Sequence, residues 1–213
     1  MADKDLNPMN QKVYDVSDQD NPANYNQTQM VTNMQDDRVV DYVSGQSDKL
    51  WDMFQEQGID TSQLSKEDFI NRLGEYAYYT GMAESRGEHS AANPESTAKG
   101  KYQFIDAAVP TGRQSLYNEG VDISSIQDDP RLWSDADADL MAYSQIFPTK
   151  GSDKYLLDLA RGSEGAGYNL YANIHHTDPN DINMQENAAK FFDLPPDVQL
   201  MMDERKRNAA FNY

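Results

Sequence analysis

Glu84 is the side chain in this sequence best placed for proton-transfer chemistry. It ends a run with helical spacing, Phe69, Ile70, Leu73, Tyr76, Ala77, Tyr79 and Met82, and Arg86-Gly87 then opens a polar loop. A carboxyl at an apolar helix end loses hydration, which raises its pKa and suits it to act as a general acid near neutral pH. Tyr78, Tyr79 and Met82 are near enough in sequence to build such surroundings. Taken alone, a glutamate at a helix end is more often a solvated surface charge, so the neighbouring residues decide. Ser85 can orient the carboxylate or cap the helix end. Gly100 lets backbone approach a ligand closely, and Tyr102, Gln103 and Phe104 offer stacking surface and an amide, or equally core and loop contacts.

The stretch from Glu84 to Ile105 resembles the soluble-lytic-transglycosylase and goose-type-lysozyme superfamily, most of all its phage branch. The likeness rests on twelve positions in register: Glu84, Ser85, Ala91, Asn93, Pro94, Ser96, Ala98, Gly100, Tyr102, Gln103, Phe104 and Ile105. Glu88 departs from it, standing where the pattern has asparagine. Downstream, Asp129-Pro130-Arg131-Leu132-Trp133 is similar to the family's turn ahead of a helix, and Leu156 to Ala166 to its glycine-containing segment. Leu156 and Leu159 replace that segment's aromatic residue and histidine. The resemblance covers residues 67–193 and is specific over 84–105.

The resemblance implies an all-α, lysozyme-like domain that cleaves the β-1,4 bond between MurNAc and GlcNAc in peptidoglycan, without a cofactor. Glu84 is then the catalytic acid, and Ser85, Gly100, Tyr102 and Gln103 are substrate-binding residues. The implied route uses a single acid. Glu84 protonates the glycosidic oxygen, then as carboxylate takes the proton of the sugar's own C6 hydroxyl, leaving a 1,6-anhydromuramoyl product. A hydrolase needs a second carboxylate. Glu88, Glu95, Asp106 and Asp122 are candidates, none at a position the motif supports. The rival readings are a hydrolytic lysozyme or endolysin, and a structural virion protein whose domain is vestigial or only grips glycan.

Other constellations are weaker. His175-His176 suggests a metal ligand pair, but adjacent histidines point apart and no third ligand is apparent, so a turn is expected. His89 reads as an exposed loop residue beside Glu88. Asp135, Asp137 and Asp139 resemble the start of a calcium loop, yet Leu140 and Ile146 occupy the glycine and glutamate positions. Their carboxylates suit a helix start. Gly162 to Gly167 lacks the lysine of a phosphate loop.

These residues require helices to position them. Leu50, Trp51, Phe54 and Ile59 fit a short amphipathic helix from about Asp48, ended at Gly58. Ser65 with Asp68 resembles a capping box opening the helix to Glu84, and Ser134 with Asp137 another opening a helix to Ile146. Asp106 is expected to cap a helix to Asn118, and Ser152 to open one to Arg161. Further helices are expected over 164–174 and 183–192 and after Pro195-Pro196. No alternating strand pattern, repeat or heptad array is evident.

The division expected is a polar N-terminal extension over 1–45, the lysozyme-like domain over 46–195 and a C-terminal helical tail over 196–213. The first 50 residues hold 12 Asn and Gln, a composition that suits a disordered leader or an arm that docks on a partner. The docking arm is the expectation carried forward. The chain has 213 residues, 38% hydrophobic, with no cysteine, which excludes disulfides and thiol chemistry. Its mean hydropathy is −0.84. Nucleic acid is an unfavourable partner for a net charge of −18. No apolar run approaches the roughly 20 residues of a membrane span, and no secretory signal is apparent at Met1. Acidity, the arm and the missing signal together suit a particle-borne enzyme: a phage virion component of the tail or ejected set, acting on the wall in the periplasm during genome entry. Its partners would be the glycan strand and other virion proteins.

Overall fold

Asp36 opens the first helix by accepting the Arg38 amide, leaving Asp37 in the first turn, where an acid suits the helix dipole. The computed structural model describes residues 36–147, 151–176 and 179–211. Helix α1 spans Asp37–Glu56 and buries Val39, Tyr42, Val43, Leu50, Trp51 and Phe54, one stripe at helical spacing. It therefore crosses the boundary expected at residue 45, because Val39, Tyr42 and Val43 continue the stripe that Leu50 and Trp51 announce. The rest of the expected extension, and with it the docking arm, lies outside the described residues.

Helix α2 (Lys66–Ser85) starts at Ser65, whose hydroxyl accepts the Asp68 amide, and stops where Arg86 turns left-handed at φ 58°. Its buried face, Phe69, Leu73, Tyr76, Ala77 and Thr80, meets Trp51 of α1, with the Trp51 and Phe69 rings 5.4 Å apart. Helix α3 (Ala108–Asn118) has no side-chain cap. Asp106, expected there, instead pairs with Lys99 at 3.0 Å. Helix α4 (Asp135–Ile146) is capped by Ser134 and lies nearly all within the core, from Ala138 to Ile146. It packs on α1, α2 and α3. Gly112 of α3 permits that approach, since a Cβ there would stand 2.6 Å from Met141 Cε.

Helix α5 (Asp153–Arg161) ends at Gly162, φ 65°. Helix α6 (Ala166–Leu170) runs without a break into a π-helical turn, Tyr171–His175. Helices α7 (Ile182–Ala188) and α8 (Pro196–Phe211) complete the chain. Extended structure among the described residues is limited to single bridges, Ala92 with Lys99 and Lys99 with Phe104. The architecture is all-α, with α2 at its centre touching α1, α4, α5 and α7. No described helix is long and apolar enough to cross a membrane.

Candidate active site

Glu84 lies in the last turn of α2, its side chain 13% exposed. Three groups converge on its Oε1. The Tyr171 hydroxyl donates at 2.6 Å, His176 Nε2 stands at 3.2 Å and His175 Nε2 at 3.6 Å. All three come from the π-helical turn and the residue after it. A π turn fits more residues into each turn than an α-helix and often marks functional positions. Tyr171 is itself wedged between rings, stacked on His175 at 5.6 Å and on Phe192 at 5.2 Å.

The balance at the carboxyl runs against the sequence expectation. Burial is the strongest single influence and raises the Glu84 pKa, but the His176 hydrogen bond, the His175 charge and the Tyr171 hydrogen bond together outweigh it, so the pKa lies below the ordinary value. Desolvation alone does not govern a carboxyl with several donors on one oxygen. Burial pushes the His175 pKa down against the pull of Glu84. Burial, then the Glu84 charge, pushes the Tyr171 hydroxyl up, so it stays a donor.

The second correction concerns His175 and His176, expected to point apart. Both Nε2 atoms face the same carboxylate oxygen. His175 ends the π turn, and His176 leaves it with an extended backbone, φ −92° and ψ 145°. That change of direction swings the second ring back toward Glu84. Tyr171 and His175, four residues apart, carried a helical-spacing signal in the sequence. It was hidden because the motif upstream said nothing of its partner segment.

The residues expected to bind substrate make contacts within the loop and the core. Ser85 Oγ donates to the Lys101 carbonyl at 2.7 Å, tying the helix end to the loop rather than orienting the carboxylate. Gly100 has φ 78°, and the group that approaches it is the Pro130 carbonyl, 2.8 Å from where a Cβ would stand. Tyr102 is a core side chain, 1% exposed, donating its hydroxyl to Asp139 at 2.5 Å, so its ring presents no stacking face. Gln103 takes the left-handed φ of 50° and donates Nε2 to the Gly100 carbonyl at 2.9 Å. Phe104 packs edge-on against Trp133.

Most polar motif residues also serve the loop. Asn93 and Ser96 accept the amides of Glu95 and Ala98, and the Lys99 and Phe104 backbones exchange two hydrogen bonds. Lys101 is buried between Asp135 at 3.1 Å and Asp139 at 2.9 Å, which fastens the loop to α4. His89, expected to be exposed, caps this network through Asp135 at 3.0 Å.

Of the four second-carboxylate candidates, all are exposed. Asp106 is paired with Lys99, and Asp122 accepts the Ser124 amide. The leading influences on Glu84 include no other carboxylate. A cavity of about 220 Å³ adjoins the aromatic cluster, lined by Tyr76, Tyr79, Phe192, Arg72, Glu75 and Asp193 among others, and Glu84 is not among its walls. No group of three His, Asp or Glu side chains among the described residues is arranged to hold a metal ion. The site can therefore hold one carboxyl in a fixed orientation and exchange a single proton through it. Comparison with protein-family models, with curated proteins and with solved structures gave no match.

Proposed function

We propose that this protein is a peptidoglycan lytic transglycosylase that cleaves the MurNAc-GlcNAc β-1,4 bond, with Glu84 as its single acid and base. The observation that carries the reading is a mostly buried carboxyl at a helix end, held on one oxygen by Tyr171 and His176, with no second carboxylate bonded to it among the described residues. An inverting or retaining hydrolase places two carboxyls around the scissile bond. A lone one supports the route in which the sugar's C6 hydroxyl replaces water. The twelve-position likeness over Glu84–Ile105 points to the same substrate.

In this reading the glycan displaces water from Glu84, which favours the protonated form. The glycosidic oxygen then takes the proton, and the carboxylate, steadied by the Tyr171 hydroxyl, recovers one from the C6 hydroxyl. Acidity and the N-terminal extension support placement in a phage virion, held by other virion proteins.

A glycan-gripping domain without catalysis is the second reading, favoured by the lowered Glu84 pKa, which leaves the resting carboxyl ionised at neutral pH. Mass spectrometry of muropeptides released by wild type and by Glu84→Gln separates these readings. Anhydro products from wild type alone are expected. Reducing-end products would replace the transglycosylase with a hydrolase, and peptidoglycan binding without products would favour the gripping domain.

A further inference from the structure

N-terminal to Glu84, one face of α2 carries Arg72, Glu75, Tyr76 and Tyr79 to the cavity of about 220 Å³, whose other walls include Phe192 and Asp193. We propose that this cavity is a subsite for a primary ammonium on an aliphatic stem, the charge taken by Glu75 and Asp193 and the stem by the Tyr79 and Phe192 rings. The proposal goes beyond the cleavage reading. Only the assignment of that ammonium to a peptide carried by the glycan rests on it.

The two carboxylates are short of positive charge. Among the described residues neither Glu75 nor Asp193 has its carboxylate in an ion pair or a hydrogen bond. Arg72, the cation among the lining residues, donates to the Leu159 and Ala160 carbonyls at 3.4 and 3.0 Å, which holds its guanidinium at the end of α5. Partial burial raises the Glu75 pKa, Arg72 lowers it and Asp193 raises it again, leaving it above the ordinary value. A carboxyl held up in spite of a guanidinium is one that a further cation would stabilise. An ammonium carries three donors and no acceptor, which matches two carboxylates that only accept.

The aromatic walls suit the rest of such a ligand. The Tyr79 and Phe192 rings meet edge to face at 5.6 Å, and Tyr76 lies 6.3 Å from Phe192. Ring faces attract a cation and pack against methylenes. Gly167 lets Phe192 lie close, since a Cβ there would stand 3.3 Å from the ring. Small-molecule sites hold about 300–1,000 Å³, so this smaller cavity takes one arm of a ligand rather than a disaccharide. Sugar hydroxyls would also leave both negative charges uncompensated. Phe192 stacks on Tyr171 at 5.2 Å, and Tyr171 holds Glu84, so an arm seated here lies one ring away from that contact. The ammonium comes either from an amino-acid side chain in a peptide borne by the glycan or from a free diamine.

The test is NMR of the full chain, following the Tyr79 and Phe192 ring signals during titration with Nα-acetyl-lysine methylamide, with its Nε-acetylated form and with 1,5-diaminopentane. The lysine derivative is expected to shift both rings, and acetylation of its amine to abolish the shift. Glu75→Gln and Asp193→Asn should each weaken binding by about 10-fold, the effect of losing one charged hydrogen bond. Both side chains are open to solvent, so the variants keep the fold. Glu67→Gln removes an equal charge from the exposed first turn of α2 and should leave binding unchanged. Equal weakening by Glu67→Gln would trace the effect to the general field of an acidic chain and overturn the proposal. Binding that survives acetylation, or ring signals that move with neither amine, would overturn it too. Tighter binding of the lysine derivative than of the diamine assigns the subsite to a peptide, and the reverse assigns it to a free diamine. If wild type cleaves no glycan, the function reading fails while this titration still decides the subsite.

Discussion

The Tyr171 hydroxyl donates to Glu84 Oε1 at 2.6 Å, joining residues 87 positions apart in the chain. One comes from the end of a long α-helix and the other from a π-helical turn, so the contact requires the packing of both elements. It gives the carboxyl a fixed direction that the helix end alone does not.

Tyr171→Phe removes that donor and keeps the ring that stacks on His175 and Phe192. A hydrogen bond to a charged group contributes about 1.5–3 kcal/mol. Under the proposed function, cleavage of peptidoglycan should therefore fall by about 10- to 100-fold, with the melting curve little changed. The Glu84 pKa should rise, because a donor that favours the carboxylate is gone. Full activity in the variant would remove Tyr171 from the mechanism.

The helices were legible where caps and stripes agree, as at Ser65 with Asp68 and Ser134 with Asp137. Asp106 carried the same signal and does not cap, since Lys99 across the loop takes its carboxylate. The helix that ends at Glu84 was legible from its cap and stripe, but the side chains around the carboxyl were not. A π turn followed by an extended residue reverses the rule that neighbouring helical side chains diverge. Gln103 and Tyr102 show the converse, for a motif that resembles a binding loop also describes how that loop folds.

Lys101→Met should destabilise the protein by about 3–5 kcal/mol, the cost of leaving a buried charge without its counter-ion. Asp139 is buried and, among the described residues, retains the Tyr102 hydroxyl as its hydrogen-bond partner once the ammonium is lost. Combining Lys101→Met with Asp139→Leu should recover part of the loss, because the orphaned carboxylate disappears too. Urea unfolding of the three proteins measures this. A single variant within about 1 kcal/mol of wild type would show that the pair is not what fastens the loop.

Gly100→Ala tests the close approach of Pro130. The residue has φ 78° and a Cβ would stand 2.8 Å from the Pro130 carbonyl oxygen. Gly58→Ala is the control, with φ 75° and nothing within 4 Å. Left-handed backbone in a residue with a Cβ costs about 1–3 kcal/mol, which lowers Tm by about 2–12 °C in a chain of this size. The Gly100 variant should lose more than the Gly58 variant, the excess being the steric clash. Equal losses would mean the loop and the Pro130 turn shift apart freely.

Acidification should unfold the protein in two stages, and the first belongs to His175. Its pKa is lowered in the fold from the ordinary 6.5, chiefly by burial. Below pH 6.5 the unfolded chain therefore binds a proton that the folded chain refuses, and stability falls as pH falls through that window. Glu84 has the same sign lower down. Its folded pKa is below 4.5, so the stability it contributes is present above that value and lost on further acidification. Glu75 runs the other way, since burial raises its pKa. Several other carboxylates, Asp135 among them, are lowered from 3.8 and join Glu84 at the acid end. Between 6.5 and 4.5 the charging of His175 lowers stability, while Glu75, raised above 4.5, offsets part of that loss in wild type and in a His175 variant alike. Urea midpoints at about pH 7.5 and about pH 5.5 should drop in wild type and drop less in His175→Gln. Equal drops would place the first stage on another group and leave His175 free to charge within the fold.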